Sequence, residues 1–250
     1  RFGFDQTISY EMRTRNKYPE VIARLTNLAV TVTNKLDLDL SHRITFGTAT
    51  SYSDKDGRTV SITVGDGLAL FSTAHTLRGS ASTYRNILAN NPQVSKGALE
   101  AMEKMRVENT LNQFGEKMAV EADLLYTTDD PNTCNTVREL LQSTAEVSAP
   151  NSGVVNVYSA KYRHIKLPRL ATDANGNVDS SKEKYWGLAS SSDSTGYLGI
   201  SEAPHLNAPM AGYNSEDVST EDWTYTARTG YGIAIVGARW ISLSKGNGDA

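Results

Sequence analysis

The longest regular hydrophobic pattern runs from Tyr18 to Leu40. Its apolar positions recur every three or four residues, which is the spacing of one helix face. They are Val21, Leu25, Leu28, Val32 and Leu36. Pro19 suits the first turn of a helix, where its missing N–H leaves no bond unmade. The pattern predicts one helix of about 30 Å, at about 1.5 Å per residue, with its apolar stripe packed on a sheet.

A second long pattern, from Trp223 to Val236, alternates between two faces. Its odd-numbered positions are mostly large and apolar, and its even-numbered positions are mostly small or polar. This period of two predicts a strand of about fourteen residues, where about 5–6 are typical. The odd-numbered side chains are expected to face the core. Gly230 and Gly232 leave two alternatives open, a continuous strand or one interrupted by a bulge.

Shorter elements lie between these two patterns. Ser95 is expected to cap a helix, and Asp130 followed by Pro131 is expected to start another, because an acidic cap and a proline at the first position favour helix initiation. The inner faces of these helices are predicted to carry Leu99, Met102 and Met105, and Cys134, Val137 and Leu141. Strands are predicted at Thr59–Val64, Ala119–Tyr126, Gly153–Ser159, Tyr162–Leu167 and Lys184–Ala189. Glu202–Tyr213 holds two prolines and is expected to be irregular.

The composition is that of a folded, water-soluble protein. The 250 residues are 39% apolar and 21% charged, and the formal net charge is −3. No apolar run reaches the roughly 18 residues that a membrane-spanning helix needs. An acidic chain is a poor free DNA binder, because affinity for phosphates comes from clustered Lys and Arg, although a shell that surrounds DNA is not excluded. Cys134 is the single cysteine, so an internal disulfide is excluded.

His75 is the sharpest candidate for chemistry. It closes a Ser-Thr-Ala-His run that begins at Ser72, but the members of a catalytic triad normally come from distant positions. The sequence also lacks a Gly-x-Ser-x-Gly elbow. A structural role is therefore favoured, in which the ring bonds a backbone group or a neighbouring subunit. The four histidines are isolated from one another, and no metal or cofactor is expected.

Three blocks of sequence stand in a characteristic order. The first is Asp66–His75, which reads DGLALFSTAH and is followed by a Gly/Ser loop and Asn86. The second runs from Ser95 through the predicted buried strand to the helix at Asp130. The third is Glu221–Gly232, which reads EDWTYTARTGYG. Together with the long helix, these blocks resemble major capsid proteins of tailed phages with the Hong Kong 97-type fold, particularly the Mu-like major head branch.

The resemblance implies an α+β fold with a long spine helix, a long-stranded peripheral sheet and an axial domain. Residues 1–17 would be the remnant of an extended loop or arm, so a trimmed subunit is expected. Residues 18–118 would form the peripheral domain with the spine helix, and residues 119–218 the axial domain. Residues 219–250 would be C-terminal strands that close both domains.

The function that the resemblance implies is structural and non-enzymatic. Copies of the chain would assemble as hexamers and pentamers into an icosahedral head shell around double-stranded DNA, bound without sequence specificity. The shell would form in the host bacterial cytoplasm and end in the virion, without a membrane, and scaffolding, portal and decoration proteins are expected partners. Candidates for structural or inter-subunit contacts are His75, Arg228, Asp66 and Trp223. The alternatives are an encapsulin-type protein compartment and a hydrolase that uses His75.

Overall fold

The chain forms two compact units, each built from two separate segments. The computed structural model describes residues 2–15, 17–144, 155–192, 196–207, 216–217 and 222–248. Unit 1 comprises Arg1–Leu40 and Leu198–Ile233, and unit 2 comprises Ser41–Tyr197 and Ala234–Ala250. The assignment of residues to peripheral and axial domains stays a prediction, because compactness does not tell where a unit lies in a shell.

Helices and strands are mixed along the chain, which confirms the predicted α+β class. The helices are α1 (Tyr10–Thr14), α2 (Tyr18–Thr45), α3 (Lys96–Asn109) and α4 (Pro131–Gln142), with short 3₁₀ turns at Pro168–Ala171 and Ser180–Lys182. The strands are β1 (Phe2–Ile8), β2 (Ser51–Ser53), β3 (Thr59–Ser61), β4 (His75–Leu77), β5 (Ser80–Tyr84), β6 (Leu124–Thr127), β7 (Arg163–Lys166), β8 (Trp186–Ala189), β9 (Gly196–Asn207), β10 (Glu216–Asp217) and β11 (Asp222–Ile235). No helix in these described ranges has the length and apolarity to cross a membrane.

Unit 1 is organised around β11. Strand β1 pairs with it in antiparallel register, and β9 and β10 also pair with it. The strand is continuous from Asp222 to Ile235 through its glycines, so the alternative of an interrupted strand is wrong. A Cβ on Gly230 would lie 2.5 Å from the Ser201 Oγ and 3.3 Å from the Glu202 Cβ on β9. Glycine therefore serves here to let the neighbouring strand approach closely.

The side chains of β11 alternate over only part of its length. From Ala227 onward the odd-numbered residues are buried or half-buried, and the even-numbered ones are exposed except for Gly230. This confirms the predicted register for that part. Residues 222–226 are all half-buried, so neither face dominates there.

Helix α2 packs on this sheet through a small apolar core. It begins at the predicted residue and continues five residues beyond Leu40. Leu28 and Val32 are 7% and 2% exposed and pack against Ala227. This confirms the central part of the predicted apolar stripe.

A polar contact also joins α2 to β11. The carboxylate of Asp39 accepts a hydrogen bond from the Lys35 Nζ over 2.7 Å and another from the Tyr231 hydroxyl over 2.6 Å. Because the Lys35 and Asp39 side chains are only 10% and 12% exposed, this pair is screened less by water than a surface pair.

Unit 2 is built on a small sheet with a core on each face. Strand β6 is central, parallel to β7 and antiparallel to β8. Since successive side chains point to opposite faces, Leu125 joins one core and its neighbour Tyr126 joins the other. The first core includes Leu99, Met102, Met105, Val137, Leu141, Trp186 and Leu188. The second includes Val64, Leu70, Phe71, Leu170, Ala238, Ile241 and Leu243.

Helices α3 and α4 begin as the sequence predicts. The Ser95 side chain accepts from the Ala98 backbone N–H, and the Asp130 side chain accepts from that of Thr133, with Pro131 in the first turn of α4. These caps satisfy N–H groups that have no partner inside the helix. The predicted inner faces are buried in both helices.

The chain near Ser242 runs directly beside β8. Backbone hydrogen bonds join Trp186 with Ser244 and Leu188 with Ser242. A Cβ on Gly187 would lie 1.9 Å from the Ser242 carbonyl oxygen. This position therefore accepts only glycine, because the clash is with backbone.

Several predictions about the secondary structure are wrong in part. The strands predicted at Thr59–Val64 and Ala119–Tyr126 are shorter, as β3 and β6. Residues 202–207 belong to β9, although Pro204 suggests an irregular segment. Among the described strands β9 pairs with β11 alone, and an edge strand tolerates proline. Residues 208–215 lie outside the described range. The strand predicted at Gly153–Ser159 is a turn where it is described. There the Asn156 Nδ2 donates to the carbonyls of Leu140 and Ser143 at the end of α4.

We expect Leu28→Ala to lower the free energy of unfolding by about 2–5 kcal/mol, since it leaves a cavity in a small core. Urea denaturation measures the loss. Ile22→Ala is the control, because Ile22 lies on the same helix and is 63% exposed. Equal losses in the two variants would show that the stripe does not hold α2 on the sheet.

We expect Asp130→Ala to lower the free energy of unfolding at neutral pH by about 0.5–2 kcal/mol through loss of the helix cap. Burial opposes ionisation of Asp130, but hydrogen bonds from Thr133 and Asn132 and the charge of Lys184 hold the pKa of its carboxyl below the ordinary value. A lowered pKa stabilises the fold at neutral pH, and this contribution is lost as the pH falls through the folded-state pKa. The difference in the free energy of unfolding between wild type and variant should therefore become smaller below about pH 4. Urea denaturation at a series of pH values measures it. A difference that grows with acidity would contradict this.

Candidate functional site

A tight turn positions Asp66 in unit 2. The Val64 N–H donates to the Leu68 carbonyl, and the Gly67 N–H donates to the Val64 carbonyl. Gly67 has φ +80°, a conformation that favours glycine. The Leu68 N–H donates to the Asp66 Oδ1 over 3.0 Å. The turn thereby leaves the other carboxylate oxygen free to meet the residue that begins β4.

That residue is His75, whose side chain is fully buried. Its Nδ1 lies 2.8 Å from the Asp66 Oδ2. Its Nε2 lies 3.2 Å from both the Leu70 carbonyl oxygen and the Asn86 Oδ1. The ring stacks on Tyr84 at a centroid distance of 4.7 Å and an interplanar angle of 20°.

The side chain of Asn86 has only one satisfactory orientation. Its Nδ2 faces the carbonyl oxygens of Leu70, Ala238 and Ile241 at 2.7, 3.1 and 3.3 Å. Its Oδ1 accepts from the Ser72 backbone N–H over 2.9 Å. A flipped amide would set its oxygen among three carbonyls, so Oδ1 is the atom that faces His75.

This orientation surrounds the His75 ring with oxygen atoms. Its Nε2 faces a carbonyl and an amide oxygen, and its Nδ1 faces a carboxylate. Both ring nitrogens are therefore engaged within the subunit. We refer to Asp66, His75 and Asn86 as the His75 cluster.

The His75 cluster joins three segments of unit 2. Asp66 and His75 bracket the first block of the sequence, and Asn86 follows β5. The carbonyls that Asn86 bonds at residues 238 and 241 belong to the C-terminal segment. The Asn86 backbone extends this link, because its carbonyl accepts from the Leu243 N–H over 3.0 Å. The arrangement can hold the segments together, and it engages both ring nitrogens of a fully buried His75, which leaves neither accessible to a substrate.

Tyr84 and Arg239 lie beside the cluster. Burial raises the pKa of the Tyr84 hydroxyl to about 12, and the positive charge of Arg239 opposes this shift. The Arg239 guanidinium carbon lies 5.5 Å from the centre of the Tyr84 ring, within cation–π range. A phenol with a raised pKa stays protonated at neutral pH.

The serine in the Ser-Thr-Ala-His run does not act as a partner of His75. The Ser72 Oγ accepts from the Ala74 N–H over 3.2 Å, and its backbone N–H bonds Asn86. Among the described residues, no group of three or more His, Cys, Asp or Glu side chains could hold a metal ion. His42 is buried against the edges of the Phe46 and Tyr52 rings.

The structure brings two of the four predicted contact residues together, Asp66 and His75. The other two lie in unit 1. Trp223 is half-buried and pairs with Ile8 on β1. Arg228 is exposed opposite Gly3, without an ion-pair partner in the described part of the chain. A role of these residues between subunits stays a prediction.

The sequence did not identify Tyr84, Arg239 or the C-terminal carbonyls as parts of this site. Asn86 was noticed only as a member of the first block. The sequence does not show which backbone carbonyls a buried amide bonds, because every residue type has a backbone carbonyl. The members of the site that the sequence did indicate are Asp66, which precedes a glycine, and His75.

No protein-family model matches this chain, and no curated protein matches it either. Among solved structures, a phage-related protein from Bordetella bronchiseptica RB50 has a TM-score of 0.52 at 15% identity, over 99% of this chain and 75% of its own. The chain shares the fold of that phage-related protein. A protein of Gordonia phage Cozz has a TM-score of 0.49 at 11% identity, over 97% of this chain and 68% of its own. The capsid of Myoviridae phage XM1 has a TM-score of 0.46 at 12% identity, over 97% of this chain and 71% of its own.

We expect Asp66→Asn to lower the free energy of unfolding by about 1–3 kcal/mol, the cost of leaving a buried hydrogen-bonding group without its matching partner. In the variant, the buried His75 Nδ1 faces an amide in place of a carboxylate. Urea denaturation measures the change.

Asp56→Asn is the matched control, because Asp56 lies in an exposed turn of the same unit and should change stability by less than about 0.5 kcal/mol. If the two variants unfold at the same urea concentration, His75 does not depend on the carboxylate.

Proposed function

We propose that this chain is the major capsid protein of a tailed bacteriophage and that its copies assemble into the icosahedral head shell. One observation carries the proposal: the sequence blocks that resemble this class of shell protein occur in a chain that shares its fold with a phage-related protein over 99% of its length. The two comparisons are independent, because the fold likeness occurs at only 15% identity.

The geometry of the His75 cluster supports a structural role. The residue that looked most like a catalyst is fully buried, and both its ring nitrogens are engaged by neighbouring acceptors. A general base needs an accessible lone pair within reach of a substrate proton. We therefore propose that the chain is not an enzyme.

The surface of unit 1 supports assembly with further copies. Its apolar core is small, and several large apolar side chains of the same unit are exposed. They include Ile22 at 63%, Val30 at 50%, Leu198 at 42% and Ile200 at 54%. Repeated modest contacts of this kind become strong when many copies engage together.

The remaining parts of the proposal follow from the function. The shell would consist of hexamers and pentamers, belong to the Mu-like branch, and divide into the peripheral and axial domains predicted from the sequence. It would enclose double-stranded DNA without sequence specificity, which suits a net charge of −3. Assembly would take place in the host cytoplasm with scaffolding, portal and decoration proteins.

We expect the protein, expressed from its complete gene, to form closed particles that light scattering and negative-stain microscopy detect. Particles from cells infected with the phage that encodes it should contain nuclease-resistant DNA. A subunit that stays monomeric in all buffers would contradict the proposal. Particles filled with a protein cargo would indicate an encapsulin-type compartment instead, and a turnover activity lost in His75→Ala would indicate an enzyme.

A further inference from the structure

A pocket of about 480 Å³ opens beside the His75 cluster in unit 2. Its lining includes Asp66, Arg78, Tyr84, Gln113 and Arg239. Arg78 lies in the turn between β4 and β5, and Arg239 lies in the segment that follows β11. We refer to this recess as the arginine pocket.

Neither arginine of this pocket has an ion-pair partner among the residues that the structure describes. The Nε of Arg239 is buried without a hydrogen-bond acceptor. A buried donor that bonds nothing is costly, because it has lost its water. An acceptor from outside the subunit cannot reach this enclosed atom, and it would bond the other guanidinium N–H groups of Arg239, a residue that is only half-buried.

The one carboxylate in the pocket does not neutralise these charges. Asp66 accepts from the Leu68 N–H with Oδ1 and from His75 with Oδ2. Asp66 brings one negative charge against the two positive charges of Arg78 and Arg239, so the lining keeps a net positive charge whichever proton state His75 has. The pocket is thus electropositive in a chain whose 28 acidic residues outnumber its 25 basic ones.

Two guanidinium groups favour a planar, two-oxygen anion. Arginine bonds carboxylates through parallel N–H groups, and the exposed amide of Gln113 can donate to the same guest. A DNA duplex fits less well, because proteins neutralise its phosphates with rows of cations along a surface. This recess presents only two cationic side chains among its described lining. The most abundant carboxylates near an assembled subunit are those of its neighbours.

We propose that the arginine pocket receives an Asp or Glu side chain from a second copy of this chain. This inference rests on the proposed shell function and names one of its contacts. The contact would be partly desolvated, so loss of one member should weaken assembly more than loss of an exposed surface charge does.

The first test removes both charges with Arg78→Gln and Arg239→Gln together. We expect the subunit concentration needed for assembly in nuclease-treated samples to rise by about tenfold or more. Unassembled subunits should stay folded, with a thermal midpoint lowered by about 2–4 °C at most through loss of the contact between Arg239 and Tyr84. The control removes two exposed guanidinium groups elsewhere in unit 2, Arg138→Gln with Arg163→Gln, and should assemble nearly as wild type.

The outcomes separate this inference from the shell function. If wild type fails to assemble, the proposed function fails. If wild type and the pocket variant assemble alike, only the pocket inference fails. It fails too if the control is impaired as strongly as the pocket variant, if the pocket variant is unfolded as a subunit, or if it forms particles that lack only their DNA.

The second test locates the guest. Arg78→Lys with Arg239→Lys keeps the charges but loses the parallel N–H groups, so it should restore assembly in part relative to the Gln variant. A water-soluble carbodiimide then joins a lysine amine to a carboxylate in contact with it, with loss of one water. In particles of mixed light and heavy isotope-labelled subunits, mass spectrometry should find peptides linked between subunits from position 78 or 239 to an Asp or Glu. Links confined to one subunit, absent links, or a Lys variant that fails to assemble would overturn the proposal.

Discussion

The hydrogen bonding of the buried His75 ring is the feature on which unit 2 depends most directly. A polar group in the interior is tolerated only when it is hydrogen-bonded, and here those bonds fix the path of the chain. Asp66 must end its turn facing the ring, and Asn86 must face it with its oxygen. Since the nitrogen of Asn86 then reaches carbonyls near Ala238 and Ile241, the C-terminal segment is held in place. That segment in turn lies on β8, where only a glycine at 187 leaves it room.

Unit 1 is held together in a different way. One long helix rests on one long strand, through a few apolar side chains and the buried contact of Asp39 with Lys35 and Tyr231. Stability scales with the apolar surface that is buried, and here much of that surface remains exposed on α2 and β9. Such a unit becomes more stable when neighbouring copies cover this apolar surface. Unit 2 has two apolar cores and the His75 cluster, so it buries more apolar surface within one subunit than unit 1 does.

Much of the fold follows from local patterns in the sequence. The period of α2, its first residue, and the caps of α3 and α4 were all predicted, because each depends on residues within one or two helical turns. The register of β11 from Ala227 onward was predicted for the same reason, since a strand's faces follow from alternation alone. Pro204 misled because proline is excluded only from strands that have a neighbour on both sides. The sequence does not tell which strands lie at an edge of a sheet.

The candidate site was predictable only in its members Asp66 and His75. The sequence by itself determined that two long elements exist and where the helices start, and it indicated Asp66 and His75 as contact residues. The tertiary structure alone decided that Asn86 orients against His75, and that two arginines without an ion-pair partner in the described part of the chain share a pocket. The reason is separation along the chain: the bond from Asn86 to the Ile241 carbonyl spans 155 positions. Local propensity acts over a few residues, whereas the partners of a buried ring are the distant groups that the fold brings to it.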